Sequence, residues 1–515
     1  MLRRVPGTLS KAAAVVKLKT SYLKALILIQ NSTLAQFEPS ASTQQSACDP
    51  VQIREAAESR SADDTYHAFQ IERLLDELNY SQRLTGSTAW KFCSFPSIRF
   101  LDRHVRQFYW TVTRLVGLGH LHDGAKNRSP ARPCLAQDAV EQAAGPRILI
   151  DATPTHRHDD NTGIQRVVRE IGRASIAHAG AFPVVIERGR LLSYFRHPAL
   201  PDVVQIETGD QLLLLDSSWS LLDEYLPIVQ DVSRRGGSII CGIHDLIPLL
   251  YPGTVSIGTT QAIRAWLSAI LPYCAAVVTI SRSVAEDFLK YVSEHQLPCN
   301  PSIRVGWFHL GADFTADAGR PVSPQIRDVC ERTPFFLTIG TIEPRKNHGT
   351  ALKAFEALWA AGIDVHYVIV GKIGWLSQSL RQRILEHPEF GRRLFWLQSA
   401  GDGDLSYLYQ HAAASIQPSI AEGFGLPIIE AARFGTRVIA SDIRVFHEIA
   451  GDAVTYFDPM DAGALAARIK EELTNPSPML PIAILSWKEA TARLLQLIRD
   501  EAYPYTLAGG PVEIR

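Results

Sequence analysis

Two acidic residues flank a glycine-rich segment that has the features of an anion site. The segment runs Ser419-Ile420-Ala421-Glu422-Gly423-Phe424-Gly425-Leu426-Pro427-Ile428-Ile429-Glu430-Ala431. Pro427 suits the first turn of a helix, and the free N–H groups at such a helix end bind anions. Gly423 and Gly425 allow a ligand to approach that backbone closely. The pattern predicts that Glu422 in the loop and Glu430 in the first helical turn face one ligand. Glu430 by itself could also be a capping residue.

A second segment places two cations in a glycine-containing turn. It runs Leu337-Thr338-Ile339-Gly340-Thr341-Ile342-Glu343-Pro344-Arg345-Lys346-Asn347-His348. A planar guanidinium together with an ammonium group binds phosphate well. Arg345 and Lys346, at the mouth of a strand, therefore predict a phosphate site, whereas a solvated pair of cations is the alternative.

A histidine and an aspartate follow another apolar run. His244 and Asp245 come directly after the strand predicted at 238–243. A lone histidine is more often structural than functional. Ligands of parallel sheets lie beyond the carboxyl ends of the strands, so His244 is nevertheless expected to project into a ligand cleft.

The elements that position these residues form two series of apolar strands separated by helical periodicity. The predicted strands are 148–150, 183–186, 212–215, 238–243 and 275–280, then 335–340, 366–370, 393–397, 414–417 and 437–440. Runs buried on both faces and separated by helices indicate parallel sheets. The predicted fold class is therefore α/β, with two Rossmann-like doubly wound domains that face a cleft.

The predicted domain boundaries give four parts. A mainly helical or disordered amino-terminal extension covers 1–145, the two Rossmann-like domains cover 146–320 and 321–480, and a crossover helix with a tail covers 481–515. Linkers are expected at 119–145 and 317–324, where glycine and proline recur. Trp375 and Trp487 are predicted to be core residues, and Ser281 is predicted to be a helix N-cap.

The composition narrows the function classes. The 515-residue chain has 52 Lys plus Arg against 53 Asp plus Glu, whereas a nucleic-acid-binding domain is strongly basic. Seven scattered cysteines without a Cys-x-x-Cys pair indicate no disulfide framework and no zinc site, so a reducing, cytoplasmic compartment fits best. No apolar run reaches the roughly 18 to 20 residues that a membrane-spanning helix needs.

The first 118 residues combine cations with aromatic side chains. Six cations precede the first acid, Glu38, and three more stand among aromatic and aliphatic residues: Arg3, Arg4, Lys11, Lys17, Lys19 and Lys24, then Arg103, Arg106 and Arg114. Such stretches bind anionic membrane surfaces. They suit packing against a neighbouring domain equally well, so peripheral membrane contact and packing are both open.

Residues 146 to about 500 resemble a retaining glycosyltransferase of family 4 with the GT-B fold. The Glu-x7-Glu signature is Glu422 to Glu430, and Glu-Pro-Arg-Lys-Asn at 343–347 matches the phosphate-binding turn of that family. Further segments resemble bacterial surface-polysaccharide enzymes, especially mannosyltransferases, at 162–169, 244–248 and 370–375. The resemblance does not cover residues 1–145.

The resemblance implies a role for each candidate. Glu430 would hold the ribose hydroxyls of the donor nucleotide, while Glu422 and His244 would contact the donor sugar. Arg345, Lys346 and the glycine amides would neutralise the departing diphosphate, which is electrostatic stabilisation of a leaving group. The implied catalytic set is His244, Arg345, Lys346 and Glu422. The implied substrate-binding set is Gly163, Asp245, Gly340, Gly423, Phe424, Gly425, Leu426 and Glu430.

The implied activity is retaining transfer of a hexosyl group, especially mannosyl, from a nucleotide diphosphate sugar such as GDP-mannose. The acceptor would be a polysaccharide or a lipid-linked saccharide. No Asp-x-Asp metal motif sits at a strand end, so neither a metal nor a cofactor is expected. Two alternatives stay open: another enzyme of this fold, such as a sugar-nucleotide epimerase or a phosphorylase, and a non-catalytic partner of a glycosyltransferase complex.

Overall fold

A computed structural model describes residues 131–135, 145–158, 162–313, 322–331, 334–476, 478–507 and 510–511. Most of the predicted amino-terminal extension, with its basic and aromatic segments, lies outside the described residues. The same holds for most of the predicted linker at 317–324.

Strands and helices alternate through the described ranges. The strands are β1 Ile148–Asp151, β2 Ala181–Glu187, β3 Arg190–Ser193, β4 Gln211–Leu214, β5 Ser238–Ile243, β6 Cys274–Thr279, β7 Arg304–Trp307, β8 Phe335–Ile339, β9 His366–Val370, β10 Leu394–Leu397, β11 Ala414–Gln417, β12 Val438–Ser441, β13 Thr455–Phe457, β14 Tyr505–Thr506 and β15 Gly510–Pro511. The helices are α1 Thr153–Arg157, α2 Gly163–Ser175, α3 Leu222–Arg234, α4 Ile247–Leu250, α5 Ile257–Ile270, α6 Arg282–His295, α7 Pro324–Glu331, α8 His348–Ala360, α9 Gln378–Leu385, α10 Asp402–His411, α11 Leu426–Arg433, α12 Arg444–Ala450, α13 Ala462–Thr474 and α14 Trp487–Arg499.

The first sheet has the order β15-β14-β7-β6-β5-β4-β1-β2-β3 among the described residues. Its central strands, β7 through β2, pair in parallel, and antiparallel strands close both edges. Alternate residues of β1 enter opposite cores, since Leu149 packs on one face and Ile148 with Ile150 on the other. Both faces are therefore covered, as a doubly wound domain requires.

The second sheet has the order β10-β9-β8-β11-β12-β13, and its pairs are parallel. Apolar cores cover both of its faces. The strand order reverses between β8 and β11, which is the point where open α/β sheets bind ligands. The predicted pair of Rossmann-like doubly wound domains is confirmed, and each of the ten predicted strands agrees with an observed strand to within about two residues. The sequence analysis did not predict β3, β7, β13, β14 and β15.

Helix α14 returns from the second sheet to the first. Trp487, Leu494 and Ile498 pack in the same core as Ile148 of β1 and Val167 of α2. We call the elements on the first sheet, with α14, β14 and β15, the first domain, and those on the second sheet the second domain.

A short piece of the predicted linker at 119–145 has a regular place. Residues 131–135 run beside the edge of the first domain, where Arg196 N–H donates to the Pro133 carbonyl at 2.8 Å. Arg132 donates to the Ser193 carbonyl at 2.8 Å and pairs with Asp202. These five residues are therefore not a free linker, because an open sheet edge offers backbone partners to any extended segment.

In the part of the chain that the structure describes, no helix is both long and apolar enough to cross a membrane.

Candidate active site

The glycine-rich loop joins β11 to α11 at the carboxyl edge of the second sheet. Gly425 is the N-cap of α11, with a φ of 101° that favours glycine. Pro427 occupies the first helical turn as predicted. Glu430 is one residue beyond the first turn, which corrects its predicted position. Free helical N–H groups belong to the first four residues, so Glu430 does not cap this helix.

Glu422 lies at the centre of an ion cluster with the turn at 343–347, which follows β8. We call this turn the phosphate turn, after the role predicted for it. Its Oε2 is 2.8 Å from Nη1 of Arg345, and its Oε1 is 2.5 Å from Nζ of Lys346. Ser419 Oγ also donates to Oε1 at 2.7 Å. The two clusters that the sequence singled out, around β8 and around β11, therefore meet in one site.

The ion pairs of this cluster shift the pKa values of Glu422 and Arg345. Burial by itself would raise the pKa of Glu422, but Lys346 and Arg345 lower that pKa to about 2. Burial by itself would lower the pKa of Arg345, but Glu422 and Glu343 raise it above its ordinary value. Glu422 and Arg345 are therefore charged near neutral pH, and a diphosphate bound here would share Arg345 and Lys346 with Glu422.

Glu430 joins the two domains. It is 3% exposed, and its Oε1 accepts from Nη1 of Arg166 at the start of α2. Its Oε2 accepts from the Tyr409 hydroxyl at 2.9 Å. Both carboxylate oxygens therefore accept hydrogen bonds from polar side chains.

His244 follows the carboxyl end of β5 and has one ring nitrogen without a hydrogen-bond partner among the described residues. Its Nε2 lies 2.7 Å from the carbonyl oxygen of Leu215, which can only accept, so Nε2 carries the proton. Nδ1 is buried and has no hydrogen-bond partner among the described residues. Burial lowers the pKa of His244, so the ring is neutral near pH 7 and Nδ1 can accept a hydrogen bond from a ligand hydroxyl.

Two buried carboxylates, Asp151 and Asp216, lie at or just beyond the carboxyl ends of the neighbouring strands β1 and β4, and Asp216 interacts with His244. Asp151 ends β1 and accepts hydrogen bonds from the Thr153 and Tyr225 hydroxyls at 2.6 and 2.7 Å. Burial and the charge of Asp216 raise the pKa of Asp151 to about 7. Burial also raises the pKa of Asp216, whose Oδ2 accepts from the N–H of Thr155 at 2.7 Å. These acids hold the first loops of the domain in place.

Two glycines of the site have protein atoms against them. A Cβ at Gly423 would stand 2.1 Å from the His244 carbonyl oxygen of the other domain. A Cβ at Gly425 would stand 2.7 Å from the Phe446 ring. Close protein packing therefore accounts for both glycines, in addition to the ligand approach expected from the sequence.

The remaining predicted residues occupy the edges of the site. Asp245 Oδ1 accepts from the N–H of Ile247 at 3.0 Å and so shapes the turn after β5. Gly163 opens α2, and a Cβ there would meet no described atom within 4 Å. Gly340 borders the side chain of Lys346, since a Cβ at Gly340 would stand 3.4 Å from the Lys346 Cε.

Hydrogen bonds fix the second domain against the first beside the glycine-rich loop. Ser281 Oγ donates to the Gly423 carbonyl at 2.7 Å, and Ser281 is also the N-cap of α6 as predicted. The Glu448 carboxylate accepts from the N–H groups of Arg282 and Ser283 at 2.7 and 2.8 Å. His309 Nε2 contacts the same carboxylate at 2.8 Å. These bonds hold the glycine-rich loop next to His244.

Comparison with known sequences identifies the second domain. Residues 321–483 match the family described as Glycosyl transferases group 1. They are a group 1 glycosyltransferase domain. The match covers β8 to β13 and includes Arg345, Lys346, Glu422 and Glu430. Together with the two parallel sheets, this domain confirms the predicted GT-B fold.

Several bacterial proteins are similar to this chain, two of them over more than 300 residues. The serotype-specific mannosyltransferase WbdA of Escherichia coli is 34% identical over 375 residues, which cover 68% of this chain and 44% of WbdA. The O-antigen chain mannosyltransferase B of Escherichia coli is 37% identical over 164 residues, covering 31% and 40% of the two chains. The O-antigen chain mannosyltransferase RfbU of Salmonella typhimurium is 25% identical over 307 residues, covering 57% and 80%. This chain thus spans less than half the length of WbdA.

The burial or exposure of three side chains of the group 1 domain, Phe424, Leu426 and Trp375, was not predicted from the sequence. Phe424 is buried, and both Phe424 and Leu426 pack into the core of the first domain. Trp375 is 53% exposed, so its predicted core position is wrong, whereas Trp487 is buried as predicted. Trp375 lies in the loop after β9, whose backbone is bonded to the phosphate turn and leaves the indole outside the core.

The structure adds residues to the site that sequence reasoning missed. Arg166 lies in the segment 162–169, and Glu343 lies in the segment 343–347. Both segments were quoted for their resemblance to known enzymes, so a charged residue inside a recognised motif was the signal that could have identified them. Tyr409 is a helical tyrosine in the group 1 domain whose contact with Glu430 depends on how α10 packs on α11. No local pattern distinguishes it from a core tyrosine.

Proposed function

We propose that this chain is a retaining hexosyltransferase that moves a mannosyl group from a nucleotide diphosphate sugar to a polysaccharide or lipid-linked saccharide. The observation that carries the proposal is the ion cluster of Glu422, Arg345 and Lys346 in the group 1 domain. Gly423, the residue after Glu422, lies against the backbone of His244 from the first domain. The names of the relatives support mannosyl transfer and a polysaccharide product.

Each contact fits one part of such a donor. Arg345 can donate two parallel hydrogen bonds from its planar guanidinium to the diphosphate, and Lys346 contributes a compact positive charge. Glu430 accepts hydrogen bonds from the ribose hydroxyls once the nucleotide displaces or shares Arg166. The bare Nδ1 of His244 accepts from a sugar hydroxyl, and Glu422 accepts from another.

Leaving-group stabilisation is the main catalytic contribution in this proposal. The bond from the anomeric carbon to the diphosphate breaks, the acceptor oxygen bonds to the same face, and a leaving phosphate oxygen takes the acceptor proton. Negative charge grows on the diphosphate in the transition state, where preorganised cations are most effective. A pair of carboxylates flanking the bond, as in glycosidases, is not needed for retention in this scheme.

Transfer itself is the direct test. The full chain is incubated with GDP-mannose and other nucleotide sugars, with and without a mannan oligosaccharide acceptor, and the product linkage is read by NMR. Acceptor-dependent transfer with an α-linked product from an α-linked donor is expected. Epimerised donor, sugar 1-phosphate, or no turnover of any donor would contradict the proposal and favour the alternatives named above.

Metal independence is a separate expectation. Within the described ranges, no group of three or more His, Cys, Asp or Glu side chains stands together as a metal site. The Asp402-Gly403-Asp404 triplet opens α10, and Asp404 accepts from the N–H of Ser323 at 3.0 Å. We expect EDTA-treated enzyme to keep its activity. A complete loss that Mg²⁺ or Mn²⁺ reverses would contradict this.

Glu430→Gln is expected to weaken nucleotide binding by about tenfold, because a neutral amide is a poorer acceptor for two ribose hydroxyls than a carboxylate. Calorimetry with GDP measures the change. Glu472→Gln, a buried acid on α13 of the same domain, serves as the control. Equal affinity of wild type and Glu430→Gln for GDP would remove the ribose role.

Attachment of residues 1–118 to the inner face of the cytoplasmic membrane belongs to the same proposal. It is supported by the cations that precede Glu38, since each Lys or Arg near an anionic surface contributes on the order of 1 kcal/mol. Salt-sensitive co-sedimentation of the full chain with anionic vesicles, but not with neutral ones, is the corresponding measurement.

A further inference from the structure

Glu343 is a buried acid at the donor site to which neither the sequence nor the relatives assign a role. It precedes the 3₁₀ turn Pro344–Lys346 and is 3% exposed. Its Oε1 lies 2.7 Å from Nη2 of Arg345. Its carbonyl accepts from the N–H of Lys346 at 3.0 Å, and the backbone of Gly374 closes the other side. Glu343 therefore pairs with Nη2 of Arg345, whereas Glu422 pairs with Nη1.

The charges around Glu343 are unbalanced before any ligand arrives. Arg345 and Lys346 face it from its own turn, Glu422 faces it from the glycine-rich loop, and Asp245 faces it from the first domain. With Glu343 itself, the cluster holds two cations and three carboxylates. A diphosphate adds at least two negative charges to the same two cations.

The three carboxylates are not equally compensated. Glu422 contacts both cations and the Ser419 hydroxyl. Glu343 pairs with Arg345, at the second amino group of that side chain. Asp245 is only half-buried and accepts from a backbone N–H. Any negative charge that competes for Arg345 therefore raises the electrostatic cost of an ionised Glu343, because it weakens the pairing of Glu343 with that guanidinium.

We propose that Glu343 is a positioning residue for Arg345 that takes up a proton from solvent when a diphosphate binds. The neutral acid still accepts a hydrogen bond from Arg345 through its carbonyl oxygen, so the guanidinium keeps its orientation while the excess negative charge is removed. The proposal rests on the donor site described under the proposed function.

The directions of the pKa shifts in the cluster agree with this proposal. Burial raises the pKa of Glu343 in the unliganded protein, with Glu422 and Asp245 adding to the rise against the opposing effect of Arg345 and Lys346. The pKa of Glu422 is about 2. A group whose pKa is already raised, and rises further on binding, takes up protons as the ligand binds. Binding of the diphosphate therefore becomes tighter as pH falls towards the pKa of Glu343.

Proton uptake can be counted by calorimetry. Inorganic pyrophosphate and GDP are titrated into the full chain at pH 7 in buffers of different ionisation enthalpy, and the dependence of the heat on the buffer gives the protons exchanged. Glu343→Gln keeps an oxygen acceptor for Arg345 but cannot take up a proton. We expect wild type to take up more protons than Glu343→Gln with both ligands, by up to one per site. Glu356→Gln, a partly exposed acid on α8 paired with Arg383, should match wild type.

A third variant tests the positioning role. Glu343→Ala removes the oxygen that holds Arg345, so it should bind pyrophosphate about tenfold more weakly than Glu343→Gln. Equal proton uptake by wild type and Glu343→Gln would overturn proton coupling, and equal affinity of the Gln and Ala variants would overturn positioning. If wild type binds neither pyrophosphate nor GDP, the donor site itself is wrong and both proposals fall. Binding without a difference between the variants overturns only the role of Glu343.

Discussion

Lys346→Ala is expected to lower kcat/KM by about 10²-fold or more. Its ammonium group lies 2.5 Å from Glu422, and its side chain is 13% exposed, at the point where the strand order of the second sheet reverses. Loss of a preorganised cation removes stabilisation of charge that develops on the leaving diphosphate. The effect should appear mainly in kcat, because that charge is larger in the transition state than in the bound donor.

Lys353→Ala is the matched control, since Lys353 is an exposed lysine on α8 of the same domain. Initial rates of transfer with a saturating acceptor give both constants, and thermal melting reports folding. Arg345→Ala should give a loss of similar size. Normal turnover in both Arg345→Ala and Lys346→Ala would show that neither side chain acts on the leaving group.

Gly423→Ala is expected to lower kcat by about 10²-fold while leaving GDP affinity within a few-fold of wild type. The added Cβ would stand 2.1 Å from the His244 carbonyl oxygen, so the loop and His244 must separate by roughly 1 Å, a displacement that can cost two orders of magnitude in rate. The nucleotide contacts at Arg345, Lys346 and Glu430 lie within the second domain and do not need that approach.

Gly349→Ala is the control for this substitution, because a Cβ at Gly349 near the start of α8 meets no described atom within 4 Å. Steady-state kinetics and GDP calorimetry on the two variants separate catalysis from binding. If Gly423→Ala transfers as fast as wild type, the contact with His244 is not needed for the reaction. A parallel loss of GDP affinity would show that the loop is distorted within its own domain.

The sequence was informative about the site wherever chemistry and local structure coincide. The glycine-rich segment, the phosphate turn and His244 each follow a predicted strand, and parallel strands bring their carboxyl ends to one edge. A motif at a strand end therefore has a nearly fixed place in the fold. The meeting of Arg345 and Lys346 with Glu422 follows from the adjacency of β8 and β11.

Contacts between distant segments were not available from the sequence. Arg166 reaches Glu430 across 264 positions of the chain, and Ser281 reaches Gly423 across 142. Trp375 was misjudged because an aromatic residue near apolar neighbours resembles a core residue, whereas the course of its loop leaves it 53% exposed.

The sequence by itself determined the two β/α series, the N-cap at Ser281, the place of Pro427 in a first helical turn and the residue types of the predicted phosphate site, because these depend on local periodicity and on chemistry carried by short segments. Only the tertiary structure decided which carboxylate meets which cation, that Gly423 must be a glycine because His244 lies against it, and that Glu343 is enclosed with less compensation than Glu422. Burial and charge pairing depend on how separate elements pack, and a pattern along one chain contains no record of that packing.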